Sequence, residues 1–312
     1  DHSVPLSFMN QKQICIGVAP FGEVPGAALQ GVAAFIRKHL HLEAHILAPF
    51  QNPSDAYDQK RGQYNAAIIL KTIKSMPLDE GLDKVIAVMG PTSSAHRDAM
   101  IEICTKHRTP LLYGTDYEGG CCYRYLFCYS PIPDHYVKPL IPYLIESYGK
   151  AFYLLGADYV WPIKMSAAIK AEVLRSGGSV VGEEYLAYDV KDFDDHLNKM
   201  VQSGTKIVVM MLSGLAGQLF IRRFSELGLQ GKIKLVVPAF NENYLAGLGK
   251  KEAEGIVTCN PFLANLNRAE AKDFVSRQKK MFGPNTVVSY FVESHYGLIL
   301  FLKNALEKAQ TD

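Results

Sequence analysis

One tryptophan, no long apolar run and no concentration of basic charge distinguish this 312-residue chain by what is missing. No segment approaches the roughly 18–20 apolar residues that a bilayer-spanning helix requires, so membrane insertion is not expected. The 33 Lys and Arg are scattered and almost balanced by 31 Asp and Glu, leaving a net charge of +2. A protein that tracks nucleic-acid phosphates needs a basic stripe, and none is present. The start, Asp1-His2-Ser3-Val4-Pro5, lacks the basic-then-apolar pattern of a secretory signal. The expected location is periplasmic or extracytoplasmic if a signal has been removed, and cytoplasmic otherwise.

Catalytic signatures are missing too. None of the nine histidines stands in His-Glu-x-x-His spacing, which puts two zinc ligands on one helix face beside a base. His39, His41 and His45 gather at a helix end and a strand start, where solvated histidines are the expected reading. Gly17 and Gly22 are not followed by the Lys-Ser/Thr of a phosphate loop, and Gly119-Gly120 fits a turn. No nucleophile elbow frames a serine. Cys15, Cys104, Cys121, Cys122, Cys128 and Cys259 follow no ligand spacing. Reduced, half-buried thiols are expected, with a local disulfide from Cys121 or Cys122 to Cys128 as the alternative. No cofactor, metal or catalytic residue is expected, and the chain does not read as an enzyme.

What the chain has is alternation. Short apolar runs at Ile14–Ala19, Ala44–Leu47, Lys84–Met89, Pro110–Tyr113 and Tyr125–Tyr129 read as strands. Between them lie helical patterns at Gly26–Leu40, Asn65–Ser75 and Ser93–His107. A second series of strands follows at Ala151–Leu155, Ser179–Leu186, Lys206–Leu212, Leu235–Pro238 and Gly255–Thr258. Its helices are expected at Val137–Ser147, Pro162–Ser176, Asp192–Ser203, Gly217–Leu227 and near Asn243. Arg268–Phe282 and Tyr290–Lys308 are the last helical patterns. The expected fold is α/β, with two doubly wound parallel-sheet lobes around a cleft. Residues 1–129 and 263–312 are assigned to the amino-terminal lobe, and 130–262 to the carboxyl-terminal one.

The most informative stretch is Gly156-Ala157-Asp158-Tyr159-Val160-Trp161-Pro162. It joins an apolar strand to a helix, so Tyr159 and Trp161 are expected on a loop at the carboxyl edge of a parallel sheet. That edge is where open α/β sheets bind ligands. Two aromatics there make a wall for something small and flat.

Four blocks in order carry a family resemblance over residues 90–312. They are Gly90-Pro-Thr-Ser-Ser-Ala-His-Arg97, Leu112-Tyr-Gly-Thr-Asp-Tyr-Glu-Gly119, Gly156 to Pro162, and Gly178-Ser-Val-Val-Gly-Glu-Glu-Tyr185. Together they resemble the amide- and urea-binding members of the type I periplasmic binding proteins. The resemblance implies a two-lobed hinged receptor for a small neutral solute, with a membrane permease or a signalling protein as partner. It further implies ligand contacts from Ser94, Tyr113, Thr115, Tyr159, Trp161 and Ser213. A planar neutral amide needs aromatic faces and a few aimed donors and acceptors, which this set supplies. An amino-acid ligand would require an acid for its ammonium; Asp158 is the nearest, and the resemblance gives it a loop-shaping role. Where the family has an aromatic residue, this chain has Thr92.

Residues 12–89 resemble something else. Ile14-Cys-Ile-Gly-Val-Ala-Pro-Phe-Gly-Glu-Val24 and Ala56-Tyr-Asp-Gln-Lys-Arg-Gly-Gln-Tyr-Asn-Ala66 are similar to the amino-terminal part of archaemetzincins, without the zinc motif. The join falls near Met89-Gly90, so the chain looks chimeric. The alternatives to a receptor are a folded chimera without a ligand and a remnant zinc metallopeptidase, the latter disfavoured by the missing motif. The family continues past the helix matching Tyr290–Lys308, and Pro20–Gly26 is foreign to its pocket. The expectation from both is a predominantly open cleft and weak binding.

Overall fold

A computed structural model describes residues 13–17, 43–47, 85–91, 94–245 and 247–309. The helices expected at 26–40 and 65–75, the 56–66 string, the loop 20–26, Thr92 and the side chains of the histidine trio lie outside the described residues. The chain divides into two units. The first takes residues 1–115, 120–130 and 291–312, and the second takes 116–119 and 131–290.

Five parallel strands build the first unit: β1 (Gln13–Gly17), β2 (Glu43–Leu47), β3 (Val85–Met89), β4 (Leu111–Tyr113) and β5 (Leu126–Cys128), in the order β2-β1-β3-β4-β5. Ala87, Val88 and Met89 are almost fully buried, as an interior strand covered on both faces must be. Helix α1 (Ser94–Lys106) turns Arg97, Met100, Ile101 and Cys104 inward, one apolar-sided stripe at helical spacing. Burial pushes the Cys104 thiol up to about 12. Cys104, Cys122 and Cys259 are free thiols.

The first unit is held together over long sequence distances at Gly114. Its carbonyl oxygen accepts hydrogen bonds from Ser130 Oγ and Ser294 Oγ, each at 2.6 Å. A side chain at this glycine would start 2.9 Å from the His295 imidazole, so only glycine allows the approach. His295 is fixed in turn by Nδ1 donating to the Phe291 carbonyl at 2.7 Å, and burial pulls its pKa down.

Four parallel strands build the second unit: β6 (Ala151–Ala157), β7 (Ser179–Leu186), β8 (Ile207–Met211) and β9 (Lys234–Val236), in the order β7-β6-β8-β9. Alternation sorts their side chains. Phe152, Leu154, Ile207 and Val209 meet α2 (Pro133–Tyr148) and α3 (Val160–Arg175) on one face. Tyr153, Leu155, Val208 and Met210 meet α4 (Asp194–Gln202) and α5 (Gly214–Glu226) on the other. The short α6 (Glu242–Leu245) and α7 (Lys250–Ala253) precede α8 (Ala269–Phe282). The last helix, α9 (Tyr290–Ala309), begins in this unit and runs on into the first. No helix among the described residues is long and apolar enough to cross a membrane.

Three departures from the sequence reading have local causes. The strand expected at Gly255–Thr258 is reduced to one bridge, Val236 to Val257, because β9 ends at Val236. Residues 263–290 belong with the second unit. Phe274 packs edge-on against Phe262 at 5.8 Å, and Asn243 Nδ2 donates to Ser289 Oγ at 3.2 Å. Helix α3 starts at Val160 rather than Pro162, since a proline in the first turn lacks only an N–H that would have no helical partner.

Candidate functional site

In an open parallel sheet the ligand edge lies at the carboxyl ends of strands flanking the reversal of strand order. In the second unit that reversal is between β6 and β8. The residues following β6 are Asp158, Tyr159 and Trp161; those following β8 are Leu212 and Ser213. The edge therefore collects three of the residues singled out from sequence.

Two of them touch. Tyr159 Oη and Ser213 Oγ are hydrogen bonded at 3.3 Å. Both occupy helix N-cap positions with extended backbones, yet neither caps its helix. Ser213 spends its hydroxyl on Tyr159 rather than on the first turn of α5. Burial pushes the Tyr159 phenol up, so it remains a neutral donor and acceptor.

Trp161 lies in the first turn of α3 rather than on the loop. Its ring packs against the α2/α3 side of the sheet, whereas Tyr159 packs against the α4/α5 side. The two aromatics thus straddle the sheet edge instead of forming one wall. Gly156 sets this geometry from within β6. A Cβ there would lie 2.9 Å from Pro162 Cβ and 3.2 Å from the Tyr185 ring, so the first turn of α3 can approach only a glycine.

The second unit also brings Asp116 to this neighbourhood, a residue that sequence reasoning missed. It is 7% exposed, and Tyr290 Oη donates to its Oδ1 at 2.9 Å. Burial raises the carboxyl to about 6, while the Tyr290 hydrogen bond, the backbone amide and the Trp161 N–H pull it down and the Glu118 charge pushes it up. Tyr136, also missed, is 2% exposed, and its hydroxyl has no partner among the described residues. Its phenol is driven up by burial first and then by the Asp116 charge. The Trp161 indole nitrogen is buried, and its N–H bears on the Asp116 carboxyl as a hydrogen-bond donor. Asp158, the acid considered from sequence, is exposed.

In the first unit the order reverses between β1 and β3. Ser94 opens α1 there, buried at 4% exposure. Tyr113 ends β4 with its ring wholly buried and the Arg97 guanidinium 5.3 Å from its centroid. Arg97 is anchored by Nε and Nη2 bonds to Asp98, at 3.0 and 2.8 Å. Thr115 is buried, and its hydroxyl has no partner among the described residues. Among the described residues, no group of three or more His, Cys, Asp or Glu could hold a metal ion.

Residues 81–312 match the profile of a family described as "Periplasmic binding protein". Solved structures give the same fold. A Rhodopseudomonas palustris solute-binding protein of an ABC transporter, in complex with 3,4-dihydroxybenzoic acid, superposes with a TM-score of 0.76 at 18% identity, over 96% of this chain and 81% of its own. Another from R. palustris, in complex with benzoate, gives 0.72 at 16%, covering 91% and 77%. A leucine-binding protein from Thermotoga maritima gives 0.75 at 15%, covering 95% and 83%.

Proposed function

From the premise that this chain belongs to the periplasmic binding protein family, we propose that it is the extracytoplasmic solute-binding component of an ABC importer for a small neutral amide or urea-like molecule. The family is one of receptors rather than enzymes. The observation that carries the ligand class is the chemistry of the second unit's edge. Tyr159, Ser213 and Trp161 offer hydroxyls, an indole N–H and ring faces, and a buried carboxyl, Asp116, lies beside Trp161. An anionic ligand such as the benzoates bound by the R. palustris proteins would meet that acid as a like charge. A neutral planar group meets it as a hydrogen-bond acceptor.

Ser94, Tyr113 and Thr115 are proposed as the contribution of the first unit's edge. Thr115 supports this best, since its buried hydroxyl has no partner among the described residues. The delivery partner is a membrane permease. β1 and β2, from the archaemetzincin-like segment 12–89, pair in parallel register within the same sheet as β3.

A thermal-shift panel tests the reading. Urea, acetamide and propionamide at a hundredfold excess over their dissociation constants should stabilise the protein by about 2.7 kcal/mol through mass action. Stabilisation by leucine or benzoate alone, with the amides inert, would reassign the ligand class.

A further inference from the structure

The chain passes between its two units at 115–116, 119–120, 130–131 and 290–291. The passage at 119–120 falls on Gly119 and Gly120, with φ of +76° and +73°, and such permissive residues constrain little. The other passages are bonded to one another on both sides. Within the first unit, the Gly114 carbonyl accepts from Ser130 Oγ and Ser294 Oγ, each at 2.6 Å. Ser294 Oγ also lies 3.2 Å from the Phe291 carbonyl, a longer contact. The Tyr129 N–H adds a bond to the Tyr113 carbonyl at 3.2 Å. Within the second unit, Tyr290 Oη donates to Asp116 Oδ1 at 2.9 Å, and the Tyr117 N–H to the Pro131 carbonyl at 3.3 Å. Ser130, Ser294, Asp116 and Tyr290 are all buried.

Each of these residues adjoins a passage or stands within one helical turn of it. A connecting segment bends where the fewest bonds hold it, and a segment tied on both sides bends only between its ties. What lies between the ties is Thr115, the Ser130–Pro131 peptide and the first turn of α9, whose amides lack helical acceptors. We propose that the two sets of bonds are clasps, one in each unit, that make three crossings act as a single joint and confine flexing between the units to those places. Separate crossings would let the units twist and slide as well as rotate. Gathered on each side, they leave rotation. Buried hydrogen bonds are costly to leave unmade, so the clasps stay shut while the residues between them turn. No solute is needed to form either clasp, and the device stands whatever the ligand class.

Each clasp has its own backbone probe, the Tyr129 N–H in the first unit and the Tyr117 N–H in the second. Hydrogen exchange at these amides, read by NMR on the chain without added solute, tests them separately. Ser294→Ala should speed exchange at Tyr129 about fivefold and leave Tyr117 within about twofold. Tyr290→Phe keeps the ring and should do the reverse. Amides inside β6 and β8 should not change in either variant. The two substitutions together should widen the distance distribution from small-angle scattering, because freed crossings bend over longer stretches. If Tyr290→Phe does not fold, Asp116→Asn replaces it in both arms; its neutral acceptor weakens the same bond and should speed Tyr117 more than Tyr129. A probe that stays within about twofold under its own variant overturns its clasp. Acceleration shared equally by β6 and β8 is general destabilisation and overturns it too. A double variant that scatters like the wild type overturns the single joint.

Discussion

The outer strand β7 and the neighbourhood of Asp116 treat carboxylates in opposite ways. On β7, Glu184 accepts from Tyr153 Oη at 2.7 Å, Lys199 Nζ at 2.6 Å and His196 Nδ1 at 3.2 Å. Glu183 beside it accepts from Lys170 Nζ at 2.7 Å and Tyr185 Oη at 2.6 Å. Burial alone would raise both acids, but these partners outweigh it and hold each below its ordinary value. Asp116 is bonded by Tyr290, a backbone amide and Trp161 and, among the described residues, by no cation, and burial wins. The fold saturates its charges where they only join a strand to its helices.

The largest expected effect tests this contrast through pH. For Asp116 the folded value, about 6, lies above its ordinary 3.8. The folded state therefore holds a proton that the unfolded state releases, and stability falls as pH rises from about 4 to above 6, by about 3 kcal/mol in all. The acids of β7 have the opposite sign: their contribution is present above the ordinary carboxylate range and is lost as pH falls. Asp116→Asn should remove the alkaline-side loss and leave the acid-side loss, as read from urea midpoints at pH 4, 6 and 8. Identical pH profiles for the variant and the wild type would dissolve the comparison.

Trp161→Ala comes next, weakening ligand binding by about 2 kcal/mol, roughly thirtyfold, with the unfolding midpoint little changed. As the sole tryptophan, its emission should report binding directly in the wild type. Glu184→Gln should destabilise by about 1 kcal/mol, because Tyr153 keeps an acceptor while the Lys199 and His196 bonds lose their charge. Ligand affinity should not move. Smallest of all is Lys199→Ala, with no measurable shift of the unfolding midpoint, since its exposed ammonium is already well hydrated. A larger loss there than from Glu184→Gln would reverse the ranking of partners on β7.

Much of the scaffold was legible in the sequence because its signals are local. The run Phe152–Leu155 and the apolar residues 207–211 announce buried parallel strands, and Gly156 to Pro162 announces the turn between a strand and its helix. Helix starts were less legible. Ser213 has the chemistry of an N-cap but serves Tyr159, and Pro162 sits inside the first turn rather than opening it. Of the proposed site residues, Tyr159, Trp161 and Ser213 were singled out by their place after strands. Asp116 and Tyr136 were not, because their significance is tertiary. The partner of Asp116 is 174 positions away, and nothing in Thr115-Asp116-Tyr117 says that the acid is buried while Asp158 is not. For Tyr136 the one local signal was its spacing with Leu140 and Leu144 on the inward face of α2.

The Gly114 carbonyl has a consequence for the order in which the chain can acquire its structure. Its two donors, Ser130 and Ser294, stand 16 and 180 positions further on. During synthesis, then, the first unit cannot complete this junction until α9 has left the ribosome. The second unit is nearly one continuous stretch, 131–290, and every strand of its sheet is available before that moment. Domains usually fold in the order they emerge. Here the segment made first finishes last, and for most of translation its sheet waits as an open template for a helix still to be made.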